Sequence, residues 1–209
     1  MNGLRPRHIS IDSVPAVPWR NGGGVTREIA RAPGRTSQDW AWRVSIAEID
    51  RSGPFSAFDG YQRLQVLLAG RDLTLQFADG GRARLAQPGD SCHYDGGRAL
   101  EANLPQGPCR ALNLIAAPWA GLAWKSEVIS TPTVRHAAWA MLVPLTGAWA
   151  AACGTLAPGE AAVYETTAAV PPCADAWHPS AASTLHAQPV GPLTDAPPAR
   201  AILLSATRA

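Results

Sequence analysis

Three segments of this 209-residue chain recur in the same order in its second half, and that recurrence limits the architecture more than any other feature. Leu64-Gln-Val-Leu-Leu-Ala-Gly70 is matched in apolar content and closing glycine by Ala140-Met-Leu-Val-Pro-Leu-Thr-Gly147. Leu85-Ala-Gln-Pro-Gly-Asp-Ser-Cys-His-Tyr94 parallels Leu156-Ala-Pro-Gly-Glu-Ala-Ala-Val-Tyr164, and Arg110-Ala-Leu-Asn-Leu-Ile-Ala-Ala117 parallels Arg200-Ala-Ile-Leu-Leu-Ser-Ala-Thr207. Each match alone is noise, but three in order argue for two related units within one chain. Each unit reads as a strand ending in glycine, then Pro-Gly followed by an acid, then a closing strand.

The units are built of strands. Glycine and proline, 19 of each, interrupt the chain so often that few segments hold a helical period for more than two turns. From Trp40 to Asp50 the residues alternate: Trp40, Trp42, Val44 and Ile46 make one bulky apolar face, and Ala41, Arg43, Ser45 and Ala47 a small polar stripe on the other. Further strands are expected at Arg63–Ala69, Leu73–Phe77, Ala83–Ala86, Ala111–Ala116, Met141–Leu145, Ala161–Tyr164 and Ala201–Ser205. The fold class is therefore all-β, of the jelly-roll sandwich or barrel kind. Two halves are expected, residues 1–120 and 121–209. The second carries a Pro- and Ala-rich segment, about 166–198, that reads as an irregular exposed loop.

The stretch Pro18-Trp-Arg-Asn-Gly-Gly-Gly-Val-Thr-Arg-Glu28 has no counterpart in the second unit. Three consecutive glycines cost backbone entropy, so something must need that bare backbone, either a ligand or another strand coming close. Composition excludes several functions. At 46% hydrophobic and 16% charged residues the chain is an ordinary globular one, and no apolar run approaches the roughly 20 residues of a membrane span. The first eight residues lack the apolar core of a signal peptide, which points to the cytoplasm. Net charge is only +2 and the arginines are spread among acids, which argues against a nucleic-acid partner. Cys92, Cys109, Cys153 and Cys173 show no C-x-x-C spacing and read as thiols, not as a disulfide framework or a zinc site.

The blocks Pro18–Ile29 and Trp42-Arg-Val-Ser-Ile-Ala-Glu-Ile-Asp-Arg-Ser-Gly-Pro-Phe-Ser-Ala-Phe-Asp-Gly-Tyr-Gln-Arg63 resemble the HutD/Ves family of bacterial bicupins, over about the first 120 residues. The resemblance implies two cupin-like barrels packed as one unit and no established enzymatic activity. It further implies a sensor or governor of histidine utilisation that binds a pathway intermediate, or a stress-induced protein. One departure is visible. The family's first closing strand reads Arg-Asp-Phe-Asn followed by a basic pair, whereas this chain has Arg110-Ala-Leu-Asn113, with Ala116-Ala117 farther on.

A metal-dependent cupin enzyme or an isomerase is the alternative. Such enzymes gather two or three His and a carboxylate. His93 follows Pro88-Gly89-Asp90, where a cupin places its last His ligand, but Phe58-Asp-Gly-Tyr-Gln-Arg63 offers no partner His. His8, His136, His178 and His186 lack ligand spacing, so no metal or other cofactor is expected. A third reading makes the exposed segment, with Trp177, a protein-interaction site, and a homodimer stays open. What remains is a pocket for a small polar or carboxylate ligand. Arg43 with Ser45, and Arg63 with Gln65, form stripes that can turn two guanidiniums toward a carboxylate. Asn21, Thr26, Arg27 and Glu28 line the mouth and Asn113 stands opposite, where the second repeat has Leu203. Trp19, Trp40, Trp42, Phe55 and Phe58 are expected as core and pocket wall.

Overall fold

The computed structural model describes residues 6–36, 39–165, 183–190 and 198–208. The chain divides into two compact units, residues 14–120, and residues 1–13 with 121–209. The first strand, β1 (Arg7–Ser10), thus belongs with the C-terminal residues, which a division at residue 120 alone does not include.

In the unit 14–120 the strands are β2 (Ala16–Pro18), β3 (Gly24–Pro33), β4 (Trp40–Ile49), β5 (Gly53–Phe55), β6 (Gln62–Ala69), β7 (Leu73–Phe77), β8 (Arg82–Leu85), β9 (Ser91–Asp95), β10 (Leu100–Asn103) and β11 (Cys109–Ala116). They form a six-stranded sheet in the order β2-β3-β4-β11-β6-β9 and a four-stranded sheet β5-β10-β7-β8, antiparallel at every pairing. The core holds Ala47, Ile49, Leu67 and Ala111 from the larger sheet and Leu73, Leu75, Phe77, Leu85 and Leu100 from the smaller. Burying each large apolar side chain there contributes about 1.5–3 kcal/mol.

The other unit repeats the plan. Its strands are β12 (Leu122–Ile129), β13 (Thr133–Ala137), β14 (Trp139–Thr146), β15 (Ala148–Ala151), β16 (Gly154–Leu156), β17 (Glu160–Glu165), β18 (Ser183–Val190) and β19 (Arg200–Arg208). The sheets run β1-β17-β14-β19-β12 and β13-β18-β15-β16. The order β9-β6-β11-β4 of one unit is thus the order β17-β14-β19-β12 of the other, and all three repeated segments fall on matching strands. One expectation is corrected. Within the segment 166–198, residues 183–190 are a strand paired with both β13 and β15, because Leu185 and Ala187 alternate inward with His186 and Gln188 outside. Trp177, Cys173 and His178 lie outside the described residues.

The three glycines have separate duties. Gly22 takes φ +65°, and its N–H donates to the Trp19 carbonyl at 3.0 Å, closing the turn. The Gly23 carbonyl accepts from the backbone N–H of Asp50 at 2.9 Å. Gly24 begins β3 so close to β4 that a Cβ there would lie 2.1 Å from the Glu48 carbonyl oxygen. The close approach that demands bare backbone at Gly24 is that of a strand.

Gly24→Ala is therefore expected to lower stability by about 2 kcal/mol or more in chemical denaturation, the usual scale for overpacking a close contact. Gly53→Ala is the control, since its methyl would meet nothing nearer than 3.9 Å. Equal losses at the two positions would contradict this assignment.

Candidate functional site

A strand's side chains alternate faces, so the register of β4, β11, β6 and β9 decides what points between the two sheets. Ala47, Ala111 and Leu67 form one inward row, which is apolar core. In the next row Glu28 pairs with Ser45, Ser45 with Asn113, Asn113 with Gln65, and Gln65 with Cys92. The row after that reads Arg43, Ile115, Arg63 and Tyr94. Passing from core to these rows, the space between the sheets opens into a cavity of about 690 Å³. That volume lies within the range of small-molecule sites. Its wall includes Trp19, Phe55, Phe58 and Ile115, with Arg20, Asn21, Thr26, Glu28, Arg43, Ser45, Arg63 and Asn113 as the principal polar groups.

Arg63 is only 6% exposed. Its guanidinium donates to the Ser56 carbonyl at 3.2 Å and to Asn113 Oδ1 at 3.1 Å, both neutral acceptors, while its Nε has no partner. The rings of Phe55, Phe58 and Tyr94 stand 5.7, 5.5 and 5.1 Å from it, so part of the lost hydration is replaced by cation–π attraction. Arg43 is barer. It makes no hydrogen bond or ion pair among the described residues, its Nε is buried, and the Trp40 and Phe58 rings stand 5.0 and 5.4 Å from its charge. Desolvation depresses both arginines from the usual range. The charge of Glu28 opposes that shift at Arg43, and the charge of Arg43 adds to it at Arg63. Arginine nonetheless stays cationic at neutral pH. Neither guanidinium is bonded to a carboxylate among the described residues, and Glu28 is the acidic group on the same wall.

Asn21 and Thr26 reach the cavity but are already engaged. Asn21 accepts from the Gly23 N–H at 3.0 Å and donates to the Pro54 carbonyl at 3.3 Å, while Thr26 Oγ1 accepts from Trp19 Nε1 at 2.7 Å. They hold the wall in place. Two expected site residues are not brought to the cavity. Arg27 alternates to the opposite face of β3, where it pairs with Glu48 at 3.3 Å and donates to the Val14 carbonyl. Gln65 is fully buried one step behind the lining, accepting from the Tyr94 hydroxyl at 3.0 Å. Sequence reasoning passed over Arg20 and Tyr94. Arg20 stands in the glycine block itself, and Tyr94 closes a repeat that ends in Tyr164 in the other unit, so both carried a signal.

The residues present do not suit a divalent metal. No group of three His, Cys, Asp or Glu capable of holding an ion exists among the described residues, and two guanidiniums at the base would repel one. His93 pairs with Leu64, on the face turned away from Arg63 and Gln65, and is exposed. In the other unit the matching positions are apolar. Ala140, Leu142 and Leu203 stand where Arg63, Gln65 and Asn113 stand here, and they are packed into its core. Where the register places Arg43 and Ser45, that unit has Lys125 and Glu127, bonded to each other at 2.8 Å.

A family model described as HutD matches residues 12–178. An uncharacterized 21.2 kDa protein from the hutC 3' region of Pseudomonas putida is 42% identical over 104 residues, which is 50% of this chain and 54% of that one. The chain spans about half the length of the curated relatives it matches. The structure of HutD from Pseudomonas fluorescens SBW25 superposes with a TM-score of 0.76 at 22% identity, covering 98% of this chain and 99% of that one. A cupin 2 conserved barrel domain protein from Leptotrichia buccalis gives 0.54 at 10% identity, with 97% and 96% covered. These likenesses show a cupin-like β fold. Among the described residues no helix is long and apolar enough to cross a membrane.

Burial beside Arg63 raises the Tyr94 phenol to about 12, desolvation outweighing the cation's opposing pull. A group raised in the folded state stabilises below its unfolded pKa, near 10, and that contribution is lost as pH climbs toward 12. Burial raises Tyr164 to about 12 as well, so titration of absorbance at 295 nm should show two phenols ionising near 12, one of which disappears in Tyr94→Phe. The variant should also lose less stability than wild type between pH 10 and 12. A wild-type chain with every phenol ionising near 10 contradicts the placement.

Proposed function

The chain belongs to the HutD family, and on that footing we propose that it binds a small carboxylate metabolite in the 14–120 unit, without catalysing its turnover. The observation that carries this reading is Arg43, a guanidinium at the cavity wall with free donors and no acidic partner bonded to it. A carboxylate lying against Arg43 and Arg63 would accept forked, charge-assisted hydrogen bonds from cations that no carboxylate otherwise bonds in a partly desolvated space. Preorganisation favours it too. Arg63 is held by Asn113, Ser56 and three rings before any ligand arrives, so little side-chain entropy remains to be lost. The Pseudomonas putida relative is named for its place in the hutC 3' region. In that setting the bound carboxylate would be an intermediate of histidine breakdown, and the protein a cytoplasmic sensor or governor of that breakdown.

Isothermal titration with urocanate and N-formylglutamate tests the proposal. Wild type should release or absorb heat with at least one of them. Arg43→Met should weaken that binding about 10- to 100-fold, the scale of charge-assisted hydrogen bonds. Arg43 is the better probe because Arg63 is also tied into the fold. Absence of heat with wild type, or an affinity unchanged by Arg43→Met, overturns the reading.

A further inference from the structure

An anion pocket has little use for a carboxylate of its own, yet Glu28 is on the wall. It pairs in register with Ser45, so on the inward face it is the diagonal neighbour of Arg43, two residues along β4. A β-bulge between Glu28 and Ala30 interrupts β3 at this point. Glu28 is the last residue of the unbroken register from Gly24, so it stays on the inward row while the strand beyond it shifts by one residue. Glu28 is only loosely engaged elsewhere. Its ion pair is with Arg31 at 3.4 Å, and both side chains are largely exposed, at 42% and 67%. Exposed pairs of that kind contribute little. The two guanidiniums at the base are thus flanked by one acceptor-only carboxylate.

A plain carboxylate entering this site meets attraction from Arg43 and Arg63 and repulsion from Glu28. A ligand whose carboxylate is followed within a few bonds by an N–H turns the second contact from repulsion into a hydrogen bond. Resting on the carboxylate reading, we propose that Glu28 is the specificity-determining residue of the pocket and that its ligand is a carboxylate bearing an N–H donor. The arginines attract anions in general, and Glu28 penalises those that cannot donate, so selectivity comes from an unfavourable contact with the wrong ligand as much as from a favourable one with the right ligand.

N-acetylglycine and levulinate test this, because they differ only in an N–H against a CH2 at the same place. Titrated into wild type, N-acetylglycine should bind about tenfold more tightly than levulinate. Glu28→Met removes the charge with little change of shape, and the residue is exposed enough for the fold to survive, which a thermal melt of the variant checks. In that variant the preference should fall to about one, with levulinate binding more tightly than it does to wild type. Equal affinities in wild type, or a preference that persists in Glu28→Met, overturns the role of Glu28 and leaves the carboxylate reading standing. If neither probe binds wild type and neither responds to Arg43→Met, the carboxylate reading falls and the inference falls with it.

Discussion

The antiparallel register across β4, β11, β6 and β9 is the constraint from which everything at the site follows. Side chains alternate with a period of two, so a slip of one residue anywhere in these four strands would send Arg43, Arg63 and Asn113 to the other face. Three features hold the register. The row of Ala47, Ala111 and Leu67 must reach the core. Gly24 allows β3 to lie against the Glu48 carbonyl, extending the same register to the neighbouring strand that carries Glu28. The Arg63–Asn113 hydrogen bond links β6 to β11 inside. The same alternation that makes a hydrophobic core in one row makes a charged wall four residues farther along. Core and cavity wall share one sheet and are separated only by position along it.

The repeated unit shows what the scaffold requires. Where one unit has Arg63, Gln65 and Asn113, the other has Ala140, Leu142 and Leu203, with Trp149 and Leu156 in the same core. An apolar interior is the less demanding solution, since a buried guanidinium without a carboxylate forfeits hydration that neutral acceptors and rings replace only in part. The counterpart has Ala140 at the Arg63 position and, at the Arg43 position, Lys125 ion-paired with Glu127, so among the described residues a buried arginine bonded to no carboxylate is peculiar to one unit.

Much of this was legible in the sequence, for identifiable reasons. Period-two alternation from Trp40 to Ile49 and the ordered repeat gave the strands and the two-unit plan, because both depend on local pattern. Arg43, Ser45, Arg63 and Asn113 were placed together by the same logic. Arg27 was misplaced because adjacent residues on a strand face opposite ways, and the block Asn21–Glu28 was read as one wall. Strand β18 was missed because Leu185 and Ala187 are its only buried apolar residues in a Pro- and Ala-rich stretch. The pairing of β1 with β17 had no sequence signal, since it joins residues about 150 positions apart through a four-residue strand. The glycines were read correctly as a demand for bare backbone, with ligand or strand left open, and at Gly24 it is a strand.

The central claim is that Arg43 and Arg63, neither bonded to a carboxylate among the described residues, form a cationic site that a small carboxylate would complete. The most direct measurement is the melting temperature of wild type and Arg43→Met as acetate replaces chloride at constant ionic strength. A ligand that binds only the folded state stabilises it in proportion to the logarithm of its concentration once above Kd. The account predicts a wild-type melting temperature that climbs with acetate while that of Arg43→Met stays flat. Parallel curves for the two proteins would contradict it.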